Sequence, residues 1–304
     1  MATQIAEYLG QRTDIDFPTV IPSHLGQPVV PTCPFTGAAC SKMAATKPMH
    51  PVCSVRVNEK IFVVCSDRLI PAKARHLSPA HIASLENVAS GLFPGIPVGQ
   101  IGFKRQIGVG LGPGRVVYLD YVLATSNEDF PGRKKILLEV QGGGETSNTG
   151  TIGRHIAAWI ADPVRTNAML RAPLSEVVDG KVRKVGIIPN NAWKRQLEQL
   201  FRKAPLAARF SGAFALVMGT TLFDYVRKVV TCGKPYYPEW EVALLRLGEV
   251  PGNQPGAVPF QLDQAVFMSY AEFVSAVSGT PLPENVTNPF TGEYWTLENH
   301  RFDL

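Results

Sequence analysis

Two carboxylates and a glutamine are the side chains of this sequence best suited to catalysis. Asp120 lies in the apolar segment VVYLDYVLA, and Glu139 and Gln141 close the segment ILLEVQ after an interval of 18 residues. Because alternate side chains of a strand share a face, Glu139 and Gln141 should point the same way. If the strand of Asp120 is the neighbour, its carboxylate completes an oxygen cluster of the kind that binds Mg²⁺. Such an ion would activate water for attack on a phosphodiester.

A purely structural role for the same residues is the alternative. Asp120 would then pair with a cation such as Arg105 or Arg115, and Glu139 would end a strand by chance. Isolated D-x18-E-x-Q patterns are common, so the spacing alone does not separate the two interpretations.

Four of the five cysteines are clustered in the sequence and indicate a structural metal site. Their spacing is C-x6-C-x12-C-x11-C, and they are Cys33, Cys40, Cys53 and Cys65, while Cys232 stands apart. In a chain without a secretory signal, clustered cysteines more often bind a metal than form disulfides. The segments HPVCSVRV and KIFVVCSDR are predicted to form a hairpin, so that the four thiolates surround one ion. Scattered buried cysteines are the alternative.

The segments between these residues predict a mixed α and β architecture. SPAHIASLENVASGLF is predicted to form an amphipathic helix capped by Ser78, and FKRQIGVGLG, GRVVYLDYVLA and KKILLEV are predicted strands. GVGLGPGR is expected to be a hairpin turn, because no helix follows it as a phosphate loop requires. Helices around TIGRHIAAWIA and NNAWKRQLEQLFRKAPLAARF come next. This order predicts an α/β or α+β fold around a mixed sheet.

Three regions are expected along the chain. Residues 1–30 should form a helix and an arm, 31–70 the four-cysteine ribbon, and 71–304 the sheet domain, in which 235–304 has no assigned role. The N-terminus lacks the order of charges of a signal peptide, and the apolar runs reach eight residues at most, so a soluble intracellular protein without a membrane span is expected. The net charge of +5 is compatible with a polyanionic partner.

Two further segments are candidates for DNA contact. The loop from Gly142 to His155 leaves the strand of Glu139 directly, and its small residues would allow close approach of the backbone to DNA. Its candidate contacts are Glu145, Ser147 and Arg154, and a purely structural loop is the alternative. The cations of the longest predicted helix are expected on its solvated side: Lys194, Arg195, Arg202 and Lys203.

The ribbon and the strands together resemble the NotI and EagI family of type II restriction endonucleases, within the PD-(D/E)XK superfamily. The resemblance runs in order from about residue 31 to 215. It rests on CPF at Cys33, on an arginine three positions after the last cysteine at Arg68, and on YLDYVLA followed by LLEVQ. Gln141 stands where the superfamily usually has lysine, which gives the E-x-Q variant of the motif.

The resemblance implies roles for these positions. Asp120 and Glu139 would hold the catalytic Mg²⁺, and Gln141 would help to position the attacking water and the scissile phosphate. The four clustered cysteines would bind the structural iron of that family, a site that zinc could also fill. The family tends to carry another glutamate upstream of the aspartate, and Gln106 stands at the matching position here, which puts a second catalytic metal in doubt.

The sequence therefore predicts a restriction-endonuclease-like core with a small N-terminal metal ribbon. The expected activity is Mg²⁺-dependent cleavage of double-stranded DNA at a short GC-rich palindrome by a homodimer. A cognate DNA methyltransferase would be the functional partner in the cytoplasm of a prokaryote. A non-catalytic metal-ribbon DNA-binding protein and a DNA repair nuclease are the alternatives.

Overall fold

The computed structural model describes residues 2–15, 31–41, 51–162, 164, 166–252, 255–274, 287–298 and 301–303. Its largest element is an eight-stranded mixed sheet with helices on both faces. The predicted mixed-sheet α+β class is therefore confirmed. Within the described residues, no helix is long and apolar enough to cross a membrane.

The chain begins with a small antiparallel sheet. Its strands are β1 (Thr3–Tyr8), β2 (Gln11–Arg12), β3 (Val52–Val57) and β4 (Lys60–Val63), in the order β2-β1-β3-β4. The predicted hairpin is confirmed as β3 and β4, with Asn58 and Glu59 both at positive φ in the turn.

The predicted N-terminal helix is wrong, because this segment forms β1. The strand pairs antiparallel with β3 and buries Ile5 and Tyr8, so pairing with the hairpin edge overrides any local preference for a helix. Residues 16–30 of the predicted arm lie outside the described residues.

The first helix and the central strands match the prediction. Ser78 caps α1, and its side chain accepts a hydrogen bond from the His81 N–H. The elements are α1 (Pro79–Leu92), β5 (Ile101–Gly110), β6 (Val116–Thr125) and β7 (Lys135–Gln141). The hairpin turn expected for GVGLGPGR is confirmed for 111–115, which joins the antiparallel strands β5 and β6, whereas Gly108–Gly110 are paired residues of β5.

A set of small elements follows β7. Helix α2 begins at Thr149, so the predicted loop after β7 is shorter than expected. The elements are β8 (Glu145–Thr146), α2 (Thr149–Ala161), α3 (Asn167–Leu170), β9 (Ser175–Val178), β10 (Lys181–Lys184) and β11 (Ile187–Ile188). β9 pairs with β10, and β8 with β11.

The last third completes the main sheet. Its elements are α4 (Pro189–Arg209), β12 (Ala213–Gly219), α5 (Thr220–Val229), β13 (Val242–Glu249), β14 (Phe260–Met268), α6 (Tyr270–Val274), β15 (Glu293–Thr296) and β16 (Arg301–Asp303). The strand order is β14-β13-β12-β7-β6-β5-β15-β16, and β7, β12 and β13 run parallel. The segment 235–304, to which the sequence assigned no role, thus supplies strands to both ends of the sheet.

Each face of the main sheet has its own core. On one face, Leu85 and Val88 of α1 pack with Leu123 and Leu138. Ile61, Val63, Leu69 and Ile70 of the predicted ribbon belong to this same core. On the other face, α4 and α5 cover β7 and β12. The long connection from β7 to its parallel neighbour β12 ends in α4, and this helix packs against both strands.

Candidate functional site

Asp120 and Glu139 meet where β6 and β7 separate. The two strands are neighbours, as the sequence predicts, and their last regular pair is Tyr121 with Leu138. Beyond it, the Glu139 Oε1 accepts a hydrogen bond from the Asp120 N–H at 3.1 Å. The Asp120 Oδ2 accepts one from the Val140 N–H at 3.0 Å. At this point the backbone N–H groups of β6 and β7 donate to carboxylate oxygens instead of to carbonyls of the opposite strand. Both carboxyl groups are therefore held where the hydrogen-bonded pairing of the two strands ends.

A lysine of α4 completes this pair. Lys203 Nζ lies 2.7 Å from Glu139 Oε1, and the two side chains are only 3% and 8% exposed. The expectation that Lys203 lies on the solvated side of the helix is therefore wrong. A signal was present in the sequence, because Lys203 falls three residues after Leu200 and four before Ala207, both buried in the core. It thus occupies the apolar stripe of the helix.

Gln141 is held by the same helix. Its Oε1 accepts a hydrogen bond from Gln196 Nε2, and its Nε2 donates to the Gly142 carbonyl at 3.0 Å. Gln196 precedes Lys203 by two helical turns. Glu139 and Gln141 therefore share the face of β7 that α4 covers, as the alternation of the strand predicts, and each has its own partner on the helix.

Burial and like charge perturb both carboxyl groups. Burial, together with the charge of Asp120, raises the pKa of Glu139 to about 7, although Lys203 opposes the shift. Burial also raises the pKa of Asp120, and the Val140 N–H, Lys203 and Lys73 act in the opposite direction. Among the described residues, Lys203 is the cation that forms an ion pair with this carboxylate pair. An additional cation between the carboxylates would favour their ionised forms.

Gln106 adjoins Asp120 from the other side. It stands opposite Asp120 between two regular pairs of β5 and β6, and its Nε2 lies 3.4 Å from Asp120 Oδ1. Its φ of +50° is in the left-handed region, which a glutamine rarely adopts. The alternative partner Arg105 donates to the Ala74 carbonyl at 2.7 Å instead. Among the described residues, no salt bridge joins Asp120 to Arg105 or Arg115.

The four clustered cysteines are all buried near the small sheet. Cys33, Cys40 and Cys53 pack in one cluster with Phe35, and the Gly10 N–H donates to Cys53 Sγ at 3.3 Å. The five cysteines of the chain form no disulfide. Burial raises the pKa of the Cys53 thiol. Within the described ranges, no three Cys, His, Asp or Glu side chains form a group ready to hold a metal ion.

Four buried thiols and an N–H···S hydrogen bond have the chemistry of a thiolate metal site. The described side chains do not, however, converge on one point. Cys33, Cys40, Cys53 and Cys65 therefore stay candidate ligands, and their side chains would have to turn toward a common centre to bind an ion.

Arg68, three positions after Cys65, anchors this region. Its Nε lies 2.8 Å from Oε1 of Glu7, and the pair is almost completely buried. The guanidinium also stacks over Phe35, 5.0 Å from the ring centroid, and over Phe260 at 4.7 Å. Arg68 thus connects β1, the cysteine loop and β14, which is a structural role.

The glycines after Gln141 pack against the cysteine hairpin. A Cβ on Gly142 would lie 3.0 Å from the Val63 carbonyl oxygen and 3.1 Å from the Ser66 nitrogen. The Gly143 N–H donates to the same Val63 carbonyl. For Gly142 and Gly143, these contacts favour the structural-loop alternative. The two glycines allow the end of β7 to contact the chain next to Cys65.

The three candidate DNA contacts all have partners within the chain. Glu145 pairs with Arg195 at 2.8 Å. Ser147 Oγ accepts from the Gly186 N–H at 2.8 Å. Arg154 Nε and Nη2 each donate a hydrogen bond to a carboxylate oxygen of Glu176 at 2.5 Å. These two hydrogen bonds, and one from Thr151, lower the pKa of Glu176 to about 2. Their contact with DNA stays a prediction.

Comparison of the sequence with protein-family models and with curated proteins finds no match. What the site can do therefore follows from its own groups. It offers the buried carboxylate of Glu139, the partly buried carboxylate of Asp120, one lysine and an oriented carboxamide at the open end of a strand pair. Oxygen donors of this kind suit a hard divalent cation.

Proposed function

We propose that this protein is a Mg²⁺-dependent endonuclease that hydrolyses phosphodiester bonds of double-stranded DNA. The observation that carries the proposal is the meeting of Asp120 and Glu139 at the open end of β6 and β7, with Lys203 and Gln141 beside them. The order of these residues in the sequence resembles the NotI and EagI family of restriction endonucleases. The expected substrate is a short GC-rich palindrome.

Asp120 and Glu139 would hold the Mg²⁺. When bound, the ion supplies a Lewis acid that activates water and offsets the charge developing on the phosphate. Lys203 favours the ionised form of Glu139 in a buried position, where desolvation alone would keep it protonated. Lys203 is therefore a positioning residue for the ligand carboxylate.

Gln141 would contact the reacting groups. Its carboxamide has both a donor and an acceptor, so it can orient a water and a phosphate oxygen at once. The hydrogen bond from Gln196 fixes the rotation of this side chain. Such orientation contributes to rate because it removes the entropy cost of aligning the reactants.

Cys33, Cys40, Cys53 and Cys65 are proposed to bind a structural iron or zinc. The burial of all four thiols, three of them in one cluster, supports this part of the proposal. Gly142 and Gly143 pack against the chain next to Cys65. Through them, order in the cysteine hairpin would stabilise the end of β7 that carries Gln141. The metal would therefore act on folding and alignment, not on the reacting bond.

A homodimer is the assembly proposed for a palindromic site, because two-fold symmetry places one active site on each strand. The net charge of +5 favours binding to a polyanion. In a prokaryotic cytoplasm, a cognate DNA methyltransferase would protect the host sites and act as a functional partner only.

Incubation of the purified protein with plasmid DNA and Mg²⁺ tests the proposal. Discrete fragments from the wild-type chain, absent with Asp120→Ala and Glu139→Ala, would support it. The exposed Glu128, in the loop between β6 and β7, provides the matched control, and Glu128→Ala should cleave like the wild type. Binding without cleavage would favour a metal-ribbon DNA-binding protein instead. Nicking confined to damaged or structured DNA would favour a repair nuclease.

A further inference from the structure

A short two-stranded ribbon projects from the protein on the C-terminal side of β7. It consists of β9 and β10, and we call it the 175–184 ribbon. Asp179 and Gly180 form its turn, with φ of 51° and 72°. Two positive φ values are typical of the tight turns that match the twist of a hairpin. Four residues per strand give the ribbon a length of about 14 Å.

The ribbon exposes apolar side chains that no core element covers. Val177 and Val182 are directly opposite each other, and they are 71% and 61% exposed. Lys184, two residues after Val182, shares their face of the strand. All four residues of β10 are exposed. The two valines are therefore open to contact with a ligand.

The ribbon is also positively charged. Three of the four residues of β10 are cations, namely Lys181, Arg183 and Lys184. Among the described residues, no salt bridge involves Lys181 or Lys184. The acid opposite Arg183 is Glu176, which Arg154 and Thr151 already bind. The turn adds the exposed acid Asp179, so the ribbon as a whole has a net charge of +1. Its three cations all lie on the exposed strand β10, which fits a polyanion.

The base of the ribbon is firmly attached. Leu174 and Val185 are buried, and the Val185 N–H donates to the Leu174 carbonyl at 3.0 Å. Thr3 of β1 binds both of them, through its carbonyl and its hydroxyl. Asn148 Nδ2 donates to the Lys184 carbonyl at 2.8 Å. A ribbon held at its base by these bonds can present its side chains in one orientation.

Its attachment lies between elements that carry the candidate active site. β8 begins four residues after Gln141 and pairs with β11. β11 follows the ribbon and leads directly into α4, which supplies Gln196 and Lys203. The base of the ribbon is therefore connected, through β8 and β11, to β7 and α4, the two elements that carry most of the candidate site.

We propose that the 175–184 ribbon enters a groove of the DNA substrate beside the cleavage site. This inference rests on the proposed function. The major groove of B-DNA is about 12 Å wide and admits a two-stranded β-ribbon. Lys181, Arg183 and Lys184 bind phosphates on its walls, and Val177 and Val182 contact base edges. Apolar contact with a base edge adds sequence preference, whereas the lysines bind any sequence.

The charge is tested with Lys181→Ala/Lys184→Ala. The probe is a 30-base-pair duplex carrying a cleavage site mapped on plasmid, bound in Ca²⁺ at several salt concentrations. The variant should bind at least about tenfold more weakly, and the slope of log K against log salt should fall by about 2, one for each lost phosphate contact. Lys228→Ala/Lys234→Ala removes two exposed lysines near the end of α5 and should bind like the wild type.

The apolar contact is tested with Val177→Ser/Val182→Ser. This variant should lose affinity for the mapped site and keep its affinity for a duplex of unrelated sequence. Val229→Ser, at a comparably exposed valine of α5, is the control. Unfolding of all variants by heat should match the wild type, because neither valine is in a core.

Two outcomes would overturn the ribbon proposal while leaving the nuclease intact. One is an unchanged affinity and salt slope for the lysine variant of a cleaving enzyme. The other is a result in which the valine variant sediments as a monomer while the wild type sediments as a dimer, and the lysine variant binds DNA normally. The ribbon would then contact a second copy of the chain and not DNA. Failure of the nuclease proposal is distinct, since the wild type would not cleave or Asp120→Ala would still do so.

Discussion

Lys203 Nζ and Glu139 Oε1 are 2.7 Å apart in a buried ion pair that joins α4 to the end of β7. Removing one partner of such a pair leaves the other charge desolvated, which typically costs about 3–5 kcal/mol. Glu139 can reduce that cost by taking up a proton, because burial already raises its pKa to about 7. The pair therefore links the folding of α4 to the ionisation of a proposed metal ligand.

Lys203→Met should abolish most cleavage. Without the lysine, Glu139 favours its protonated form, which binds a cation poorly. We expect the cleavage rate at saturating Mg²⁺ to fall by about 100-fold or more, since a buried charged partner contributes on that scale. The measurement is the initial rate of plasmid cleavage, at a temperature where circular dichroism shows the variant folded.

Lys194→Met is the control on the same helix, because Lys194 is exposed. It should cleave normally. Lys203→Arg keeps a cation near Glu139 and should recover part of the activity. If Lys203 had only a structural role, Lys203→Arg would recover stability without recovering the cleavage rate. Full activity of folded Lys203→Met would show that the ion pair has no part in the reaction.

The carboxamide pair gives a graded prediction. Gln141→Ala should be severe, because a methyl group cannot orient water. Gln196→Ala should lower the rate less, since it only frees the rotation of Gln141. Gln199→Ala, at a half-buried glutamine on the same helix, should be nearly silent. The measurement is single-turnover cleavage of a saturated duplex, and equal losses for Gln196→Ala and Gln199→Ala would contradict the role of the pair.

Gln141→Lys restores the residue usual in the superfamily and tests the same pocket differently. A lysine here would lose the hydrogen bond from Gln196 and would add a second cation near Lys203. We expect cleavage to fall, because two close cations repel each other and weaken Mg²⁺ binding. Wild-type cleavage by this variant would show that the pocket is not shaped around the carboxamide.

The regular elements could be predicted from the sequence because their periodicity is local. Alternation in ILLEVQ places Glu139 and Gln141 on one face, and the helical spacing after Ser78 defines α1. The charge of Lys203 predicts a solvated position, whereas its place in the apolar stripe of α4 predicts the buried position that the structure shows. Its partner lies 64 residues away in the sequence, and only the crossover from β7 to β12 brings the two together.

Other features depend on tertiary contacts that no local pattern shows. β1 forms because the edge of β3 is available for pairing. The glycines after Gln141 suit a loop in either interpretation, and only their approach to Val63 shows what they contact. Within 235–304, the apolar run VALLRLGE is typical of a buried strand, but only its parallel pairing with β12 shows that it extends the main sheet. The metal sites, the dimer and the DNA partner stay predictions from the residues and from the resemblance.

His81 should make stability depend on pH. It is buried against Phe35, and this burial, with the nearby Arg68, lowers its pKa from 6.5 to about 4. Between pH 4 and 6.5, His81 therefore binds a proton more tightly in the unfolded chain than in the folded one. The free energy of unfolding keeps its full His81 contribution above pH 6.5 and loses it as the pH falls toward 4. The loss attributable to His81 is at most about 3 kcal/mol.

Urea unfolding at a series of pH values measures this dependence. His81→Asn cannot take up the proton and should flatten the curve between pH 4 and 6.5 relative to the wild type. His76→Asn provides a control at an exposed histidine and should leave the slope unchanged. Parallel curves for wild type and His81→Asn would show that His81 does not titrate in this range.

The cysteines should separate into two classes. Cys53→Ser should lower the bound iron or zinc and the melting temperature, because the proposed ion stabilises the region around the small sheet. Cys232→Ser should be within about 0.5 kcal/mol of the wild type, since Cys232 is partly exposed and its Sγ makes only weak hydrogen bonds among the described residues, to Met268 Sδ and the Glu272 carbonyl. Elemental analysis of the wild type should find one ion per chain that survives dialysis against Mg²⁺. Finding neither iron nor zinc would leave buried thiols as the correct interpretation.

Arg154 and Glu176 pose the last question, because Arg154 is both a candidate DNA contact and the partner of an acid on the 175–184 ribbon. We expect it to hold the ribbon in place. Arg154→Ala and Glu176→Gln should then weaken DNA binding by a similar small factor, and the double variant should be no weaker than either single one. All three should cut at the same sequence, as mapped on a fully sequenced genome.

If Arg154 instead contacts guanine, Arg154→Ala should relax the choice at one base pair of each half-site. Glu176→Gln would then leave the cut sequence unchanged and bind at least as tightly, because it releases the guanidinium to the DNA.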